Sequence, residues 1–467
     1  MNTLIKLNKN NNTKALPLAV AITLSLFLGG CSLMHEEYVQ PKLDNYAFEN
    51  INHNAIVTEN LVASLDEYFQ DEHLSNIVKQ ALENNNDYFQ AVIKSKKALV
   101  EADITTTNLI PEFSANIGNG VSRRIDVSEH SKKNSSSKLS LSYEVDIFGK
   151  LSAERNVANL AAHASVFDVK AAKLTLISNV ASIYWQIVYL KDAVRLSEAN
   201  FKDSKETLEI MENRYTNGDI SELEFVQAKR DFLNTETSLA EYKTKLDNSI
   251  SAMNVLLNKT PDSEVVTIES LRNVYVPTLR TGMSADLVKN RPDLASAELN
   301  LRSVLARKDV AKLSIYPTFS LNASISGGSS KDLYDFLNDP VGSLASMIAF
   351  PFLNYYQRSL DIDLAKLSYE SEEMKFVTAY YKAVAEVHDS LNNIQLYNEL
   401  LLKNEEKFLL SKKTEEIYLN QYENGKVALK DYLEAKATRR SQALNLASQK
   451  SELLNHVMTL GKALGGF

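Results

Sequence analysis

Two stretches of this chain, Lys150 to Asn217 and Phe352 to Asn424, contain neither glycine nor proline. They are rich in Ala, Leu, Glu, Lys and Ser in mostly helical patterns, and at ~1.5 Å per residue each predicts one helix of roughly 100 Å. Helices of that length do not fit inside a globular domain, so the usual division of 467 residues into compact units of ~150 does not apply. Each run stops at an Asn-Gly pair, where glycine can take the left-handed conformation that ends a helix. A second run without glycine or proline then returns, from Asp219 to Thr260 and from Lys426 to Leu460. The expectation is two long helical hairpins, 149–260 and 353–460.

On the first returning run Phe225, Ala228, Phe232, Thr235, Leu239, Tyr242, Leu246, Ser249, Met253 and Leu256 follow a 3,4 spacing, a heptad seam. The same register in the second run gives Tyr432, Ala435, Leu446, Leu453 and Leu460, but also Arg439, Gln442 and Gln449. Those polar residues suggest a helix bordering water.

The two hairpins belong to a larger repetition. Asn108 to Asn116 recurs as Ser314 to Asn322, with Pro111/Pro317 and Phe113/Phe319 aligned. Tyr215-Thr-Asn217-Gly218 recurs as Tyr422-Glu-Asn424-Gly425, and Ala228-Lys229 as Ala435-Lys436. Independent matches at offsets of 206 and 207 make the chain a tandem duplication.

Between the helical runs lie alternating segments. Lys138 to Ile147 sets Leu139, Leu141, Tyr143, Val145 and Ile147 against Ser140, Ser142, Glu144 and Asp146. Phe319 to Ser326 alternates in the same way, and Phe113 to Gly118 and Leu344 to Phe352 are weaker members. The links Ser122 to Ser137 and Gly327 to Ser343 read as long polar loops. These pairs form two hairpins, 108–148 and 317–352, apolar on one face and Ser/Asn-rich on the other, the pattern of an outer-membrane barrel. A soluble sheet packed on a helix layer fits the strands alone equally well.

The N-terminus decides between them. Residues 1–30 read as a secretory signal, with Lys6, Lys9 and Lys14 before the apolar Leu16 to Leu28. The signal ends Leu28-Gly29-Gly30-Cys31, resembling a bacterial lipobox, so Cys31, the sole cysteine, is expected to carry the lipid. Ser32 after it implies sorting to the outer membrane of a Gram-negative bacterium. No later apolar run approaches the ~20 residues of a membrane helix, so any span is β. Four strands leave open edges that lipid cannot satisfy. Three copies would give twelve strands, an even number of the kind barrels use.

Thr278 to Glu298, containing Arg291-Pro292-Asp293-Leu294, resembles the signature of outer-membrane efflux lipoproteins of the TolC type, NodT-like branch. Ser142 to Lys150, Arg214 to Ser221 and Phe350 to Asn354 add to the resemblance, which covers about Tyr68 to Gly466. It implies a mixed α/β, mostly α chain and a homotrimer: a twelve-stranded outer-membrane β-barrel continued by a periplasmic helical barrel. The equatorial region would take the lipidated segment 31–107, which also contains the first helices, the linker 261–290 and the tail 461–467. Helix 291–316 leads to the second strand pair. Such ducts dock through a periplasmic adaptor (membrane fusion) protein to an inner-membrane pump of RND or ABC type, and carry drugs, toxic compounds or secreted cargo without catalysis.

By the same resemblance, the tips Arg214, Gly218, Ser221 and Gly425 meet the adaptor. Asp431 and Glu434 occupy the acidic constriction of the periplasmic gate, with Glu224 and Tyr422 as closing contacts, although Val427 stands where some members carry Arg. The rival reading is a lipid-anchored periplasmic coiled-coil adaptor or spacer. The net charge of −8 argues against a nucleic-acid binder. Seven scattered His, eight dispersed Met and one Cys offer no metal spacing, and no phosphate loop or nucleophile elbow indicates a cofactor or an enzyme.

Overall fold

The computed structural model of the chain describes residues 36–43, 65, 68–123, 132–271, 274–277, 290–327 and 340–466. Cys31 and the 278–289 part of the signature lie outside them. The chain divides into two compact units, and the long helices run through both divisions of the sequence.

The first unit, which includes 96–165 and 297–376, holds an antiparallel sheet in the order β1-β2-β3-β4. Its strands are β1 (Glu112–Ser122), β2 (Lys132–Val145), β3 (Thr318–Gly327) and β4 (Val341–Ala349). The register aligns Ala115 with Leu139, Leu139 with Ile325, and Ala323 with Leu344. Because residues paired across strands share a face, Phe113, Ile117, Leu139, Leu141, Leu321, Ile325, Leu344 and Ile348 form one apolar surface. The opposite surface is Ser/Asn-lined, with hydroxyl pairs Ser114–Ser140 and Ser324–Ser343, both at 2.8 Å. β1 and β4 each pair on one side only among the described residues.

Several strand boundaries differ from the sequence reading, among them the start of β4, which lies at Val341 instead of Leu344. β1 and β2 pair through Ser122↔Lys132, so the first link is shorter than the expected polar loop from Ser122 to Ser137. Serines and lysines without alternation still pair through their backbones. β2 stops at Val145, short of Ile147, where the Asp146 carboxylate accepts from Leu151 N and Ser152 N at 2.9 and 2.8 Å and so caps the next helix. β4 stops at Ala349, short of Phe352: Pro351 has no N–H for a ladder and opens a 3-10 turn, Pro351–Asn354. At these strand ends Phe148 stacks on Tyr316 at 4.8 Å and Phe350 meets Phe352 at 5.7 Å.

The helices are α1 (Glu72–Asn84), α2 (Asn86–Thr107), α3 (Lys150–Thr216), α4 (Glu222–Leu256), α5 (Pro292–Leu313), α6 (Tyr355–Glu423) and α7 (Leu429–Ala463). α3 and α6 have 67 and 69 residues, which is roughly 100 Å each at the α-helical rise. α7 continues past Leu460 to Ala463, so the first residues of the expected tail are helical.

The second unit is built on Trp185 and Tyr184, both wholly buried among Phe69, Leu74, Met253, Leu271 and Leu453. Each such side chain contributes about 2–3 kcal/mol by leaving water. Phe69 lies 5.0 Å from Trp185, and Tyr184 donates to Asp71 Oδ2 at 2.8 Å, fixing α1 against α3.

The duplication is visible in one further pair of positions. Asn85, directly before the 22-residue α2, donates to the carbonyl of Leu256 at the end of α4 at 3.0 Å. Arg291, directly before the 22-residue α5, donates to the carbonyl of Ala463 at the end of α7 at 3.2 Å. Each half thus has one side chain clamping the end of its returning helix, where carbonyls lack helical partners. Arg291 also forks onto Asp293 at 3.0 and 2.8 Å and pairs with Glu386 at 2.8 Å. Partial burial alone would raise the Asp293 carboxyl; the guanidinium overrides it and holds the group below its usual range.

Candidate functional site

The hairpin tips are built by the backbone. At the first, Gly218 N donates to Tyr215 O at 3.0 Å and Asp219 N to Arg214 O at 2.8 Å; at the second, Gly425 N reaches Tyr422 O at 2.9 Å and Lys426 N reaches Gln421 O at 2.8 Å. This is the bonding of a glycine-terminated helix end. Gly218 and Gly425 have φ of +77° and +67°, and a Cβ at either would meet nothing within 4 Å. The need for glycine is therefore one of backbone conformation alone.

Past each turn, the residue three positions into the returning helix closes its start. Ser221 N and Ser221 Oγ both donate to Glu224 Oε2 at 2.9 Å, and Glu224 N returns a bond to Ser221 Oγ. These donors hold the Glu224 carboxyl below its usual range. Asp431 is its counterpart at offset 207: its Oδ2 accepts from Ala428 N at 3.1 Å, but Ala428 has no hydroxyl to complete the exchange. Tyr215 stacks on Phe225 at 5.1 Å, and Tyr422 stacks on Tyr432 at 6.1 Å, again equivalent pairs. The sequence reading missed these pairs; an aromatic recurring ten positions after each tip tyrosine was the signal.

Glu434 follows Asp431 by three residues, is exposed, and lies 3.7 Å from Lys430. It borders two clefts. One, of about 290 Å³, lies between α3, α4 and α7 and also takes in Glu224 and Asp231. The other, of about 480 Å³, lies between α6 and α7 and takes in Asp431 and Tyr418. The structure thus brings Glu224 and Glu434 to one cleft and Asp431 and Glu434 to another, while Tyr422 belongs to neither lining.

Behind the first cleft lies an ionic cluster that sequence reasoning did not find. Arg440 is 7% exposed and donates to Asn200 Oδ1 at 2.9 Å and Asp203 Oδ2 at 2.7 Å, and Lys436 pairs with the same carboxylate at 3.0 Å. Two of the three polar seam residues of α7 are likewise engaged: Arg439 pairs with Glu415 of α6, and Gln449 accepts from Asn404, while Gln442 lines the second cleft. This corrects the expectation of a helix bordering water at Arg439 and Gln449, but not at Gln442. Their partners lie on α6, far away in sequence. Among the described residues no cluster of His, Cys, Asp and Glu could hold a metal ion, and no helix is long and apolar enough to cross a membrane.

Comparison with known proteins agrees with this arrangement. The model of the outer membrane efflux protein family matches residues 77–259 and again 284–466. The chain is 24% identical over 452 residues to the toxin and drug export protein A of Aggregatibacter actinomycetemcomitans, spanning 96% of this chain and 98% of that one. It is 25% identical over 403 residues to the pyoverdine export outer membrane protein OpmQ of Pseudomonas aeruginosa, spanning 84% and 85%. The open-state MtrE outer membrane channel of Neisseria gonorrhoeae superposes with a TM-score of 0.79 at 23% identity, over 93% of this chain and 98% of that one.

Proposed function

The chain belongs to the outer membrane efflux protein family, and from that premise we propose that it is the passive outer-membrane duct of a tripartite export system. Three copies join their four-stranded sheets into a barrel, and the long helices carry the channel into the periplasm. The observation that carries this reading is the sheet. Its exposed apolar face suits lipid, its serine and asparagine face suits a water-filled lumen, and its two unpaired edges require partners. The aromatic residues at the strand ends suit the membrane interface. A periplasmic spacer would have no use for such a sheet.

Cys31 carries the lipid anchor in the outer membrane. The tips around Arg214, Gly218, Ser221 and Gly425 receive the helical hairpin of a periplasmic adaptor, which links the duct to an inner-membrane pump of RND or ABC type. Three copies of Asp431 and Glu434 form an acidic ring that favours cations and repels anions, with Glu224 and Tyr422 nearby on the tips. The names of the relatives, one exporting toxin and drugs and one pyoverdine, agree with an export duct for small molecules or secreted cargo.

Purified protein with Cys31→Ser should still need detergent, run as a heat-modifiable trimer and conduct ions in planar bilayers; extraction as a detergent-free monomer would remove the reading. In the same recordings, Asp431→Asn with Glu434→Gln should reduce cation selectivity. Unchanged selectivity would exclude the ring without touching the duct.

A further inference from the structure

Among the described residues, the segment nearest Cys31 is 36–43, and it is fastened at both ends. Glu36 lies between two lysines one turn apart on α5, with its carboxylate oxygens 2.5 Å from Lys308 Nζ and 2.6 Å from Lys312 Nζ. Both lysine side chains are largely covered, and they hold the Glu36 carboxyl below its usual range. Two residues later the Tyr38 ring sits 4.6 Å from the Arg302 guanidinium. At the far end Leu43 packs against the hydrophobic cluster of the second unit.

The contacts give the segment a direction. From residue 38 to residue 36 its partner on α5 moves from Arg302 to Lys308 and Lys312, toward the helix end that leads into β3 at Thr318. Cys31 is five residues further on, a reach of at most ~18 Å. We propose that Glu36, received by Lys308 and Lys312, is a positioning residue that fixes where the N-terminal lipid enters the membrane, beside the start of the strands. This inference rests on the lipidation of Cys31 argued above and assigns it a receptor on the protein. Lys308 also lies 5.4 Å from the Tyr369 ring on α6, so it ties α5 to α6 as well as to a segment 272 residues away.

Without the clasp, the next hold is Tyr38 on Arg302, so the free tether runs over about seven residues instead of five. The anchor's effective concentration at the strand ends then falls roughly 1.7-fold, by the inverse three-halves power of tether length. The experiment follows the rate at which newly made chains become heat-resistant trimers in the outer membrane. Glu36→Lys should slow it roughly 1.7-fold, and Glu36→Lys combined with Lys308→Glu and Lys312→Glu should restore it. In a Cys31→Ser background the clasp variants should cause no further slowing, because there is no lipid to place. Failure of the charge swap to rescue, or an equal loss in the Cys31→Ser background, would overturn the proposal and leave lipidation standing. Intact mass showing unmodified Cys31 in the parent protein would instead remove the anchor and this inference with it.

Discussion

The two returning helices descend from one ancestor and have 35 residues each, yet they are held differently. In α4 every seam position from Phe225 to Leu256 is covered and nearly every other position up to Ser249 is exposed, so the helix packs along one stripe. In α7 burial extends around the helix: Arg439 and Gln449 bond to α6, while Arg440 and Lys436 bond to Asp203 on α3. The residue that corresponds to Arg440 in α4 is Leu233, which is 49% exposed. A duplicated hairpin thus finds partners on two sides when it comes second in the chain. The first copy leaves Leu223, Val226 and Leu233 uncovered, and in the proposed trimer that face is where a neighbouring subunit packs.

Arg440→Ala should test the inner side of that contrast with the largest effect. Removing one charged hydrogen-bond partner from Asp203, with Lys436 still facing the carboxylate, should cost about 2 kcal/mol, read as a lowered urea midpoint. Leu233→Ala at the matching position should change the stability of the dissociated chain by only ~0.5 kcal/mol or less. Leu233→Glu together with Leu223→Glu should nevertheless reduce the fraction of trimer on native gels, and an unchanged trimer would show that α4 is not at a subunit boundary.

The tips should respond alike, because both glycines sit in the left-handed region with open space beside them. Gly218→Trp and Gly425→Trp should each cost about 1–2 kcal/mol of backbone strain, leave trimers assembled and abolish export in a cell-based efflux assay. Normal export from either variant would contradict the docking role of that tip.

The smallest expected difference is one of acid sensitivity. The clamp on α4 is Asn85, which does not titrate; the clamp on α7 is Arg291, supported by Asp293. The folded Asp293 carboxyl is held below its unfolded value, so its stabilisation is complete above the unfolded value and is lost as pH falls through the folded one. Hydrogen exchange at Leu464 should therefore quicken in acid relative to exchange at Leu257. Equal acceleration at both amides would mean that the carboxylate does not support the clamp.

How much of this was legible depended on the range of the interaction. Lys138 to Ile147 and Phe319 to Ser326 declare themselves by alternation, because one face of each strand meets a different solvent. Residues 132–137 do not, because their pairing with β1 uses only backbone groups. The seam of α4 is readable from spacing, whereas Arg439 and Gln449 in α7 look like errors in the seam until Glu415 and Asn404 stand opposite. Asn85 and Arg291 share no chemistry, so only their place before equivalent helices relates them. The tip residues were found by resemblance. Their geometry adds that Glu224 and Asp431 close helix starts, a duty independent of any role in passage.

The two clamps also bear on the order in which the chain is assembled. Asn85 reaches 171 residues forward to Leu256, and Arg291 reaches 172 to Ala463, so each closes nearly the same length of polypeptide into a ring. Closure entropy depends on length only logarithmically, so the two rings are equally hard to form. They are not sealed by the same chemistry: hydrogen bonds with side-chain amides close the first, through Asn85, Asn86 and Gln80, and a guanidinium with two carboxylates closes the second. During synthesis the first ring can close before the second half exists, so the first hairpin can be complete while the residues that seal the second are still being added.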